Sequence, residues 1–198
     1  MADNPTTTSV VRIYRFPALP KAMLARISAG RSEAARVWMH CRDLHHVARR
    51  NKTPWPRRDA LQKATKGRFA LHSQTVQMIG HAFLANIDTT LQLRKAGDRK
   101  AKYPWRDKRY YPLLWPAQAV GIQGNYIILP MGRNQPSIVL PKPEGFMPGG
   151  NERTSPGYGP FGFTWRCAGM ANRSPRPREI FEWSAHRKIC LTVVFVSV

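Results

Sequence analysis

The spacing of apolar positions changes character twice along the chain. Val10 to Phe16 (VVRIYRF) is β-branched and aromatic with interleaved arginines, which predicts a strand ended by Pro17 and Pro20. From Lys21 to Arg50 the residues Met23, Ile27, Gly30, Ala34, Val37, Cys41, Leu44 and Ala48 recur at three- and four-residue steps. That spacing makes one apolar stripe of a long helix, with Ser28, Ser32, Arg36, Asp43, His46 and Arg50 opposite. Gly30 weakens its middle, so two helices joined at a kink are the alternative to one. The prolines of NKTPWP (51–56) break it. A short helix over 57–66 follows, stopped by Gly67. A longer one is N-capped by Ser73 and ended by Gly97, with Val76, Ile79, Phe83, Ile87 and Leu91 as its stripe. Gln74, Gln77, His81 and Arg94 lie off that stripe, on a face open to a partner.

After Gly97 the pattern shortens. Residues 119–122, 126–130 and 137–140 read as short strands, with Gly124-Asn125 as a hairpin turn. Residues 141–160 are rich in Pro and Gly and read as a long loop, and 161–167, 179–183 and 189–198 as further strands. A strand, then helices, then strands predicts an α+β fold, a small β-barrel with a helical bundle inserted after its first strand. The corresponding divisions are 1–17, 18–97 and 98–198. There is no internal repeat. The last residues, ICLTVVFVSV, are a mostly apolar strand without a polar tail, and the expectation is an interrupted chain.

Charge sharpens the picture. The 198 residues carry 32 Lys and Arg against 11 Asp and Glu, a net charge of +21 spread over both halves. Such an excess repels itself in a compact state, and a polyanionic partner relieves the repulsion. Nucleic acid leads over an anionic membrane surface. The 42% hydrophobic content excludes global disorder. No apolar run approaches the roughly 20 residues of a spanning helix, and MADNPTTTSVV lacks the form of a signal peptide, so the expected location is cytoplasmic. Within 97–130, Arg99, Lys100, Lys102, Arg106, Lys108 and Arg109 are packed around Tyr103, Trp105, Tyr110 and Tyr111. Cations neutralise phosphates and aromatic faces stack on unpaired bases, so this hinge reads as a nucleic-acid-binding seam. Core packing by the same rings is the competing reading, above all for Trp105.

Chemistry beyond binding finds little support. Cys41, Cys167 and Cys190 are far apart and form no C-x-x-C pair, so free or buried thiols are expected, not a zinc ribbon. His40, His45 and His46 lack a second ligand cluster and read as solvated or capping residues. The carboxylates are scattered, and no phosphate-binding glycine loop, G-x-S-x-G elbow or H-E-x-x-H pair is present. No catalytic residue, metal or cofactor is expected.

The order of these features resembles the N-terminal half of the TnpB, or OrfB, family of transposon-encoded proteins. The opening Arg12-Ile13-Tyr14-Arg15-Phe16-Pro17 is similar to the family's aromatic and basic first strand. Arg36-Val37-Trp38-Met39 stands where the family has an Arg-x-x-Tyr-Asn pattern. The helix from Ser73-Gln74 through Phe83 to Arg94 resembles the family's Ser-Gln helix. Pro104-Trp105-Arg106 with Lys108 and Arg109 resembles its Pro-aromatic-basic segment, and the strands ending at Pro130 and Pro141 resemble its later "LP" strands. The likeness covers about residues 10–195.

The resemblance implies a wedge-like β-barrel with an inserted helical recognition domain, holding guide RNA and reading target DNA. In the family, which comprises RNA-guided DNA endonucleases related to type V CRISPR effectors, cleavage belongs to a downstream RuvC-type domain, followed by a zinc finger, and neither is expected here. The expected function is thus a transposase-associated, nucleic-acid-binding fragment that does not cut. Its expected contacts are Arg12, Arg15, Arg36, Lys102, Arg106, Lys108 and Arg109 on phosphates and bases, with Tyr103, Trp105 and Tyr110 stacking. The alternatives are half of a split nuclease acting in trans with a separately encoded half, and an unrelated basic RNA-binding protein.

Overall fold

The computed structural model describes residues 10–16, 19–146 and 191–197. They form an α+β fold in the order β1 (Val10–Phe16), α1 (Lys21–Arg50), α2 (Arg58–Thr65), α3 (Ser73–Lys95), β2 (Gly121–Gln123), β3 (Tyr126–Leu129), β4 (Ile138–Pro141) and β5 (Leu191–Ser197).

α1 is one uninterrupted helix of 30 residues, neither divided nor ended at Gly30. It buries Ile27, Gly30, Ala34, Val37, Cys41 and Ala48 of the expected stripe, and adds Ala35, Trp38 and His45. Gly30 serves packing here. A β-carbon on it would stand 2.7 Å from the Met131 methyl and 3.2 Å from a methyl of Leu113. The helix ends in a Schellman motif, with Lys52 N donating to Arg49 O and Thr53 N to Ala48 O, and Lys52 taking the left-handed φ of 54°. α3 ends the same way, with Gly97 N on Arg94 O and Asp98 N on Leu93 O. At its start the N-cap is His72, not Ser73. Ser73 is already the first helical residue, and no side chain caps the helix. Val76, Ile79, Phe83 and Ile87 are buried as the stripe predicts.

α1 and α3 run in the same direction. His72, at the head of α3, donates its backbone N–H to Met131, which touches Gly30. Further along, Phe83 packs edge-on against Trp38 and His45. α2 and the turn after it make the return, where Ala70 N donates to the Glu33 carboxylate at 3.0 Å.

The strands form two sheets. β2, β3 and β4 make an antiparallel meander, with Gly121↔Ile128 and Ile128↔Val139 in register. A two-residue turn at Gly124-Asn125 joins β2 and β3, and positive φ at Gly124 alone gives it type II′ character. The first expected strand, 119–122, starts late because Ala117–Ala119 form a 3₁₀ turn after Pro116. Ile127, Leu129, Ile138 and Leu140 face inward and join Trp115, Leu113 and the helical stripes in one core. The second sheet pairs β1 with β5, antiparallel from Val10↔Ser197 to Phe16↔Leu191. Among the described residues neither sheet closes, so the expected barrel is not formed by these strands. The strands expected over 161–167 and 179–183 lie outside the described residues, as do 147–160 of the expected loop, Cys167 and Cys190.

Candidate nucleic-acid interface

The segment 103–113 has no regular secondary structure and lies along α1, antiparallel to it. Trp105 packs on His46 (4.7 Å between centroids) and lies under the Arg49 guanidinium (5.2 Å). Asp107 pairs with Arg42, which also binds Asp43 at 2.8 Å. Tyr111 packs on Trp38 at 4.5 Å, and its backbone N–H donates to Arg31 O. Leu113 then meets Gly30. The Trp38 indole N–H donates to Pro104 O at 3.3 Å and ties the strap down near its start. The seam expected from composition is thus a strap across the helical bundle.

Most cations on the strap lean on its rings. Lys108 is half-buried, with Nζ 4.8 Å from the Trp38 ring and 5.5 Å from Tyr111. Burial, followed by the neighbouring charge of Arg106, holds its pKa below the ordinary lysine value. Burial also pushes the Tyr111 phenol up to about 12. Tyr110 is 42% exposed and carries Arg31 and Arg109 over its ring at 5.5 and 5.4 Å. Arg106, Arg109 and Lys102 are exposed, without a carboxylate partner among the described residues. Arg36 is exposed but bound to Glu33 at 2.6 Å, one turn back on α1. Arg12 and Arg15 belong to β1, and their side chains lie outside the described residues.

Tyr103 and Trp105 are half-buried and stacked on each other, 4.7 Å apart at 21°. The Arg94 guanidinium covers Tyr103 at 4.6 Å. Trp55, from the loop after α1, meets both rings edge-on at 5.3 and 6.1 Å. Base stacking on Tyr103 would require displacing Arg94 or Trp105. Tyr110 is the most open ring of the three expected stacking residues.

At this same end of the strap the C-terminal turns of α1 and α3 come together, and the sequence pattern does not single out Arg49 as part of it. Arg49, Arg50, Lys52 and Arg57 lie in the last turn of α1 and the loop after it, and Arg94, Lys95, Arg99, Lys100 and Lys102 in the last turn of α3 and the segment after it. All are exposed, and none forms an ion pair with another described residue. Basic last turns are a helix-dipole signal readable in sequence, but their convergence depends on α1 and α3 being parallel. Four of the described carboxylates have partners. Glu33 holds Arg36 and Ala70, Asp43 and Asp107 hold Arg42, and Asp98 accepts from Lys100 N at 2.9 Å.

Of the three histidines on α1, His45 departs from the solvated or capping role expected of it. It is 1% exposed against Trp55 and Phe83, and its ring nitrogens have no aligned hydrogen-bond partner. Among the described residues no three His, Cys, Asp or Glu side chains form a metal-binding group, and no helix is long and apolar enough to cross a membrane. No protein-family model matches the chain, and no curated protein matches it.

Proposed function

We propose that this chain binds nucleic acid through backbone phosphates, and that it does so as the RNA- and DNA-holding part of a TnpB-like, transposase-associated system, without cutting. The observation that carries the reading is the run of cations along the strap and the two basic helix ends, none of which is ion-paired to a carboxylate among the described residues. Cations that face water unpaired are available to phosphates, and displaced counterions supply the driving force. Of the described carboxylates, Glu33, Asp43, Asp98 and Asp107 are engaged with arginines and backbone N–H groups. The pairing of β1 with β5 across the intervening helices supports the finer architecture, a wedge-like barrel with an inserted helical domain.

A second reading, half of a split nuclease working in trans, draws on β5. It pairs with β1 on one side, and among the described residues its other edge is unpaired, a surface that accepts a further strand.

The test is a binding panel of structured RNA, single-stranded DNA, duplex DNA and heparin, run with Mg²⁺ and a cleavage readout. Preference for one structured RNA without cleavage supports the guide-binding reading. Equal, weak binding of every polyanion reduces it to generic charge, and cleavage by the chain alone overturns it.

A further inference from the structure

We propose that Arg49 and Arg94 are a preorganised pair of backbone-phosphate ligands, and that Tyr103 and Trp105 are their supports instead of base-stacking platforms. This rests on the nucleic-acid reading above and assigns to it a site that the aromatic-basic composition of the strap does not reveal.

The four side chains form a layered array. Arg94 lies over Tyr103 at 4.6 Å, Tyr103 stacks on Trp105 at 4.7 Å, and Arg49 lies over Trp105 at 5.2 Å. A guanidinium resting on a ring uses its face, so its N–H donors stay in plane for a phosphate. Arg94 is fixed further by its Nε donating to Ala101 O at 2.9 Å, which leaves its two terminal nitrogens free to bind. Both arginines are exposed and lack a carboxylate partner among the described residues.

Basic residues in last turns complement the helix dipole wherever they occur. The dipole does not require that the arginines of two separate helices share one aromatic pair. That sharing keeps the two guanidiniums within about 15 Å of each other, a span comparable to one groove of a duplex or a few nucleotides of a strand. Arg50, Lys95, Arg99, Lys100 and Lys102 extend the positive field around them. Repeating anions at short intervals suit this surface, and the array offers no free ring face to a base at Tyr103. Recognition here is therefore independent of base identity.

The experiment uses the full chain with labelled oligouridine and oligoadenosine over a salt titration. Arg49→Ala and Arg94→Ala each weaken binding about threefold to tenfold at moderate salt, and each lowers the log-log salt slope by about 0.7. Lys21→Ala and Lys63→Ala remove the same charge elsewhere and change affinity by less than about twofold. The Arg49→Lys/Arg94→Lys variant keeps the charge but loses the planar stack, and it binds more weakly than wild type. Oligouridine and oligoadenosine bind alike.

If Arg49→Ala and Arg94→Ala are no weaker than the two lysine controls while wild type binds, the clamp is wrong and the nucleic-acid reading stands. A wild-type chain that binds neither oligonucleotide overturns both. A strong preference for oligoadenosine that is lost in Tyr103→Leu restores stacking and overturns the support role. Polyglutamate competing as well as RNA overturns the assignment to phosphate.

Discussion

Gly30, inside α1, lies against Met131, so that a β-carbon there would stand 2.7 Å from the Met131 methyl. This contact seats the three-stranded sheet on the helical bundle. It also explains why a glycine interrupts an otherwise regular apolar stripe without bending the helix. Gly132, one residue after Met131, is a harder case, because its β-carbon would meet Ala70 O at 2.8 Å and Ala70 C at 3.2 Å.

The two glycines therefore differ in tolerance. Gly30→Ala is expected within about 1 kcal/mol of wild type, since the flexible end of Met131 yields and helix propensity improves by about 1 kcal/mol. Gly132→Ala is expected to cost about 1–3 kcal/mol, because the atoms it meets are backbone. Urea unfolding with a shared m-value checks the order, and a reversed order contradicts the packing described.

Lys52 holds a left-handed conformation that suits glycine, with φ at 54° in the Schellman turn that ends α1. Lys52→Gly removes the steric cost of the β-carbon and is expected to stabilise the fold by about 1 kcal/mol. For a chain of this size the melting temperature rises by roughly 2–4 °C. A lowered melting temperature argues against that turn.

His45 ties stability to pH. Burial, followed by the nearby His46, holds its pKa below the ordinary value of 6.5, only partly opposed by the Pro56 carbonyl. The unfolded chain therefore binds the proton more readily than the folded one. The stabilisation is fully present above about pH 6.5 and is lost as the pH falls below it. His72 and His81, also held down chiefly by burial, act in the same direction. Unfolding free energies measured down from neutral pH should decline, and His45→Phe should flatten part of the decline. An unchanged slope in that variant places the effect elsewhere.

Cys41 is fully buried in the core, and burial pushes its thiol up to about 12. Iodoacetamide should leave it unmodified in the native protein and label it in urea, as read by peptide mapping. Native labelling at a rate near that of the unfolded chain contradicts the position of α1 in the core.

The helices are legible in the sequence because burial follows the helical period, and the stripes of α1 and α3 are seen as expected. What the period misses is burial imposed by distant segments. His45 lies just off the stripe and is covered by Trp55 from a loop. The Ser73 cap fails because His72 occupies that position and the Ser73 hydroxyl makes no cap bond. Composition at 97–130 correctly marks a dense mixture of rings and cations. It does not reveal that Arg49 and Arg94 come from the helices to cover Trp105 and Tyr103. Barrel closure is a non-local property of short strands, and the strands described here make two open sheets.

The most direct test of the account is the salt dependence of binding to a structured RNA. At least four phosphates held by the strap and the two helix ends predict a log-log slope of about −3 or steeper, at about −0.7 to −0.9 per phosphate. A slope near zero, or no binding at low salt, contradicts a phosphate-binding surface on this chain.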